Sequence, residues 1–520
     1  MQGQAPVWLH NTATVEPSHL TIRDSIVTIG GSFQQGLEGQ TALGRSDLFF
    51  YQYNQEQELL GKYYLQGKDQ DRLMALAALS NGGWYAVGSF RDSLFFGAKN
   101  PILYQNKRSV FIGKWQTNGQ VTWAKSLLTT GFLEVFDAVS DSSGALYLTG
   151  SFQDTLFLDP LPPLVTTGIK APFVLKIEAN GQFLWGITST FCQEAAGKSL
   201  ALDEQGKLYW AGEFSGKLTM KDKFRRAHPV YRDLFLLTLH SQTGRQLAQK
   251  QFSGVYDNQC DVLAYHDHKL YLAGRFSGYL QLDSILLRTA FKTFGNAYVA
   301  LLDTTGQTEW AVQSTTFADA YCTDLAIDRN HILLAGYYLD SIQWGAKKAG
   351  SMDGSEAFLV SIGAQGQSFD LITSQGKGFD VARGVEIDAQ NNTWLIGGFQ
   401  DSMLLWEKEQ GVAQGASDGF IWRKPPSHTW SKDKLPSSTI PIPTIIFPSI
   451  QLSPQPAVNR CTITVTDGGI FKRWTLYNTQ GQLVDKGNTP VIPTQKLRKK
   501  VYSLHIETSE GLAIEKLLVK

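Results

Sequence analysis

The sequence is poor in cysteine, in charge of one sign and in long apolar runs, and each shortage excludes something. Four cysteines in 520 residues, Cys192, Cys260, Cys322 and Cys461, are too few for a disulfide scaffold. None belongs to a CxxC pair, so no zinc site is expected. Lys plus Arg and Asp plus Glu both number 47, which argues against a nucleic-acid partner, since neutralising phosphates takes a basic excess. No stretch approaches the roughly 20 apolar residues of a membrane-spanning helix. The start, MQGQAPVWLHN, has neither a basic nor an apolar leader region, so an exported protein would have its signal peptide missing from this chain. HExxH and P-loop patterns are absent, and no cofactor or metal is expected.

Glycine and aromatics are plentiful, with 49 Gly, 29 Phe and 13 Trp. They recur in register. An apolar-Gly-x-aromatic phrase places a key glycine at Gly31, Gly88, Gly150, Gly212, Gly274, Gly336 and Gly397. From Gly88 to Gly336 the interval is 62 each time; the first is 57 and the last 61. Each of the first six copies holds four strand-like runs joined by polar turns such as DSSG and TNGQ, the pattern of an antiparallel meander. No segment keeps a 3.6-residue apolar period, so little helix is expected. Seven such units predict an all-β, seven-bladed β-propeller over residues 1–424. The aromatic two residues after each key glycine is expected to fill the wedge between blades. The seventh unit stops after its third run, GFIWRK, while GQAPVWLHN resembles a fourth-strand phrase. The N-terminal segment Pro6–Asn11 is therefore expected to complete the last blade and close the ring.

The phrase DAVSDSSGALYLTGSF, followed by APFVLKIEANGQFLW, resembles the bacterial β-propeller repeat known as SBBP, over about Thr21–Lys424. The resemblance implies a fold and often an exported or surface location, without one activity.

Residues 425–448 are rich in Pro and Ser and read as a linker. From 449 to 520 alternating runs such as TITVT and YSLHIET predict a small Ig-like β-sandwich. This tail resembles the type A C-terminal sorting domain of the type IX secretion system. The matching features, in order, are Pro454 and Pro456, the run CTITV, Gly481 within LYNTQGQLV, Tyr502, and the terminal EKLLVK. Gln455 stands where the family usually has Asn, and Lys500–Val501 where it usually has Gly before the tyrosine. The resemblance implies an extracellular or outer-membrane-surface destination, with the secretion translocon and a sortase-like peptidase as partners. The linker would then be the site of the cut. The tail carries ten Lys/Arg against five Asp/Glu, a balance read first as a solvated surface.

Few residues point to chemistry. Asp or Gly recurs at the second place of the dipeptide after the aromatic, as in Asp92, Asp154, Gly216, Gly278, Asp340 and Asp401; this interchange marks a tight turn. His266 and His268 in YHDHK likewise read as a turn, and Cys260 and Cys322 as free buried thiols. Seventeen residues before the key glycine stand Asp71, Asp257, Asp319 and Asp380, which are candidates for a carboxylate ring at the channel rim that binds a glycan or a cation. The plainer reading is a set of loop acids holding backbone amides. The variable segments between second and third strands are the other expected place for function. The expected function is non-enzymatic binding or adhesion at the cell surface, to a glycan or protein ligand. The alternative is a propeller-based polysaccharide lyase or hydrolase.

Overall fold

A computed structural model describes the chain except for residues 1–4, 24, 97–100, 104–107, 190, 221–222, 229–230, 291–293, 329–330, 406–408, 426–449, 466–469, 478–482, 499–500, 510 and 520. Among the described residues every regular element is a β-strand. The expected linker lies almost wholly outside them, and Gly481 does too.

Seven four-stranded antiparallel meanders follow one another along the described chain. The third is representative: Leu133–Ser140, Leu146–Phe152, Ala171–Ile177 and Phe183–Thr188 pair in that order. The first strands are Val15–Arg23, Arg72–Ala78, Leu133–Ser140, Phe191–Leu202, Asn258–His266, Ala320–Ile327 and Val381–Ile387. Each touches the first strand of the next meander, and Val15–Arg23 also touches Val381–Ile387. The circuit is closed, and the fold is a β-propeller with these strands innermost.

Closure is by the N-terminal segment, as its sequence predicts. Val7–Leu9 pairs with Asp418–Lys424 as fourth strand of the seventh meander, with Val7 opposite Ile421 and Trp8 opposite Phe420. The Trp8 ring meets Phe399 edge-on at 5.2 Å. His10 Nδ1 lies 2.7 Å from the buried Asp418 carboxylate, which also accepts the Asn11 and Gln414 backbone N–H groups.

The repeated aromatics Phe33, Phe90, Phe152, Phe214, Phe276, Tyr338 and Phe399 are all buried between meanders. Turn chemistry is equally regular. Asp141, Asp203 and Asp388 each accept two backbone N–H groups across the first turn, and each also takes a bond from the aromatic six residues on, Tyr147, Tyr209 or Trp394. Asp92, Asp154, Gly216, Gly278, Asp340 and Asp401 all have positive φ, the backbone state that favours Gly and Asp in a turn.

Four of the segments between second and third strands form hairpins that reach back to the outer edge of the preceding meander. Ser93–Phe95 pairs with Leu59–Gly67, Thr155–Leu158 with Val121–Thr129, Tyr279–Leu282 with Gln246–Val255, and Ser402–Leu405 with Ser368–Lys377. They cover outer strands that would otherwise offer unpaired backbone groups.

The tail has two antiparallel sheets. Ile450–Ser453, Arg460–Val465 and Val491–Pro493 form one; Leu483–Gly487, Phe471–Tyr477, Val501–Thr508 and Gly511–Leu518 form the other. Cys461 and Ile492 from the first share a core with Trp474, Leu504 and Ile506 from the second.

Candidate functional site

Every innermost strand breaks register at one shared place, and Phe191–Leu202 also at a second, between Cys192 and Glu194. A single residue bulges out opposite the key glycine: Ser18, Met74, Phe136, Lys198, Asp261, Thr323 and Arg383. The bulge explains the glycine. It pushes the carbonyl oxygen two residues earlier, for example that of Glu134 or Tyr321, into the space a Cβ on Gly150 or Gly336 would occupy. The seven-fold glycine is thus the imprint of a seven-fold bulge.

Six of the bulged residues line one central cavity of about 400 Å³, together with Glu16, His19, Ser32, Arg72, Leu73 and Cys322. The residue after the bulge staples the ring. Asp137 Oδ2 accepts Leu200 N–H and Ser199 Oγ–H, each at 2.8 Å; Ser199 Oγ accepts Leu263 N–H at 3.0 Å; Asp324 Oδ2 accepts Val385 N–H at 2.9 Å. Each bond joins innermost strands of neighbouring meanders.

Charge is unevenly placed around the cavity. Arg72, from the second meander, and Arg383, from the seventh, lie on either side of the first meander. Burial lowers the His19 pKa to about 4, with the Arg72 and Arg383 charges adding to the effect, so the imidazole is neutral at pH 7. Its Nδ1 is 2.8 Å from Ser18 Oγ. Across the cavity, burial raises Asp261 to about 7, against the pull of Lys198. The Lys198 ammonium sits 4.0 Å above the Phe136 ring centre.

The four aspartates expected to form a rim divide into two pairs. Asp71 and Asp380 are each 1% exposed; the Asp71 carboxylate has no hydrogen-bond partner among the described residues, while Asp380 interacts with Glu356 and Ser374. Burial raises both pKa values, Asp71 to about 9, with Asp47 and Asp69 adding to the first and Glu356 to the second. Asp257 and Asp319 are more open and form ion pairs, Asp257 with Arg232 at 3.5 Å and Asp319 with Arg275. None of the four is among the residues lining the central cavity. The cause is a parity change. From bulge to key glycine is 14 residues in meanders two and seven (Met74 to Gly88, Arg383 to Gly397). It is 13 in meanders five and six (Asp261 to Gly274, Thr323 to Gly336). A constant count of 17 therefore lands on opposite faces of the strand. Asn258 and Ala320, the neighbours of Asp257 and Asp319, occupy the buried places. Near Asp257 and Asp319, Tyr321 and Tyr337 stack at 4.6 Å with the Arg275 guanidinium 4.9 Å from the Tyr321 ring centre.

The remaining candidates are quickly placed. Asp267 and His268 both have positive φ in a two-residue turn between His266 and Lys269. Cys260 and Cys322 are free and buried. In the tail, Tyr502 is buried and donates to the Arg498 carbonyl at 2.9 Å, while Pro454 and Pro456 follow the first strand. Among the described residues no three His, Cys, Asp or Glu side chains are grouped as a metal site, and no helix is long and apolar enough to cross a membrane.

Sequence reasoning passed over Arg72, Lys198, Asp261 and Arg383. A signal was present: 13 or 14 residues before the key glycine, seven equivalent positions carry seven different residue types.

No protein-family model matches the chain, and no curated protein matches it. Among solved structures it is similar to the WD40 β-propeller domain of Doa1, at 11% identity over 69% of this chain and 94% of that one, with a TM-score of 0.28. It is also similar to the β-propeller domain of the Trilobed protease from Pyrococcus furiosus, at 11% identity over 65% and 96%, with a TM-score of 0.27. A third is the extracellular domain of a two component system from B. thetaiotaomicron, at 10% identity over 98% and 75%, with a TM-score of 0.22. At these values the likenesses carry no argument about activity.

Proposed function

We propose that this chain is an exported β-propeller that binds a ligand in its central cavity, with the tail serving as a type IX sorting domain. One observation carries the binding reading. Positions with the same backbone geometry hold the same residue where packing dictates it, as with the key glycine and its aromatic. At the bulge the geometry repeats but the residues are Ser, Met, Phe, Lys, Asp, Thr and Arg. Such diversity suits a site whose walls are set by an asymmetric ligand rather than by packing. The cavity volume falls within the roughly 300–1,000 Å³ of small-molecule sites. The secretion reading rests on the sequence resemblance of the tail.

Two experiments test these parts separately. Thermal-shift screening of the purified chain against polar small molecules and glycans should yield a ligand whose effect disappears in Ser32→Trp. That substitution blocks the cavity without changing its charge. Hits that ignore Ser32→Trp, or a screen without hits, would refute cavity binding. For export, mass spectrometry of culture medium and outer-membrane fractions should find a product ending within 425–448. A full-length product confined to the cell interior would refute it.

A further inference from the structure

The two poles of the central cavity differ in chemistry. At the first, Arg72 and Arg383 flank the first meander, and both side chains are exposed to the cavity. Among the described residues neither guanidinium has a hydrogen-bond or ion-pair partner. Between them stand the Ser18 hydroxyl and a neutral imidazole, His19. Two unpaired planar donors facing one space are suited to an oxyanion, which each can hold by two parallel N–H bonds. At the opposite pole Asp261 faces the cavity beside Lys198, with Thr323 next in the ring. A carboxylate there accepts bonds from hydroxyls or from an ammonium. Lys198 repels the ammonium and leaves hydroxyls. The Phe136 ring under Lys198 adds an apolar wall to this side.

We propose that the cavity binds an acidic sugar, its oxyanion between Arg72 and Arg383 and its ring hydroxyls toward Asp261, Thr323 and Lys198. The proposal rests on the binding role argued above for this cavity and names its ligand class. Among the described residues lining the cavity, Glu16 is the one acid at the cationic pole, and it opposes such binding. Glu16 lies two residues before the bulge, about 7 Å along the strand from Ser18, and also lines the cavity. Its charge repels an incoming anion, so its removal should strengthen binding while removal of either arginine weakens it.

Opposite signs from single exposed substitutions make the test sharp. Calorimetric titration of the full chain would use D-glucuronate, D-glucose 6-phosphate, D-glucose and L-glutamate. One or both acidic sugars should bind, and their ranking separates a carboxylate from a phosphate as the anion. Arg72→Gln and Arg383→Gln should each weaken that binding about tenfold or more. Glu16→Gln should tighten it. Equal binding of D-glucose, preference for L-glutamate, or affinity unmoved by both arginine substitutions would overturn the proposal. If neither acidic sugar binds while screening hits remain sensitive to Ser32→Trp, the acidic-sugar assignment fails and cavity binding stands. If no hit is sensitive to Ser32→Trp, both fail.

Discussion

At the scale of single residues, Gly150 is fixed by a carbonyl oxygen rather than by an unusual backbone angle. The bulge at Phe136 turns the Glu134 carbonyl toward it, and a methyl group there overlaps that oxygen. Gly150→Ala should cost about 2–3 kcal/mol in denaturant unfolding, as overpacking does in a tight core. Ala145→Gly, in the nearby turn, should cost far less. Asp71 gives a pH-dependent prediction. Its folded pKa, about 9, stands above the unfolded carboxylate value of 3.8. The folded state therefore holds this proton more tightly than the unfolded state. Its contribution to stability is whole below about pH 4 and declines as pH rises toward 9. Asp71→Asn should match the parent protein near pH 4 and exceed it at pH 8 by more than about 1 kcal/mol. Equal stability at pH 8 would mean that the carboxylate is ionised and solvated.

At the scale of elements, the ring depends on a three-residue strand. Val7–Leu9 contributes backbone pairing to Asp418–Lys424, and the Asp418 carboxylate anchors the turn that follows through His10, Asn11 and Gln414. Deleting residues 1–11 exposes the edge of Asp418–Lys424 and uncovers Phe399. The truncated chain should unfold at lower temperature and associate through the freed edge, read by light scattering during a thermal ramp. Asp418→Asn should weaken the same closure by about 1–3 kcal/mol, since buried backbone N–H groups lose a charged acceptor. The hairpins between second and third strands bear on the search for function. Their sequences vary freely because an outer-rim cap needs backbone pairing more than particular side chains. Variability there is what capping a rim permits and is not by itself evidence of a ligand site.

At the scale of the whole molecule, the tail's core, around Trp474 and Leu504, is made of tail residues alone. The propeller's apolar clusters are likewise its own. A chain ending at residue 425 should therefore keep the propeller's thermal transition and its ligand affinity, measured by calorimetry. A large fall in either would show that the tail supports the propeller.

Much of this was legible in the sequence. Spacing of the key glycines, turn residues such as Asp141 and Gly144, and the incomplete seventh unit are local signals. Strand pairing has a two-residue period and a fixed turn chemistry, so local pattern determines meander, order and closure. The lining of the cavity was decided only in three dimensions. The bulge shifts the face on which every earlier residue lies, and a turn shorter by one residue in meanders five and six cancels that shift in the count. Asp71 and Asp380 are thereby turned inward between strands, while Asp257 and Asp319 stay open. Arg72, Lys198, Asp261 and Arg383 lie far apart along the chain, in four different meanders. Only closure of the ring brings their charges into one cavity.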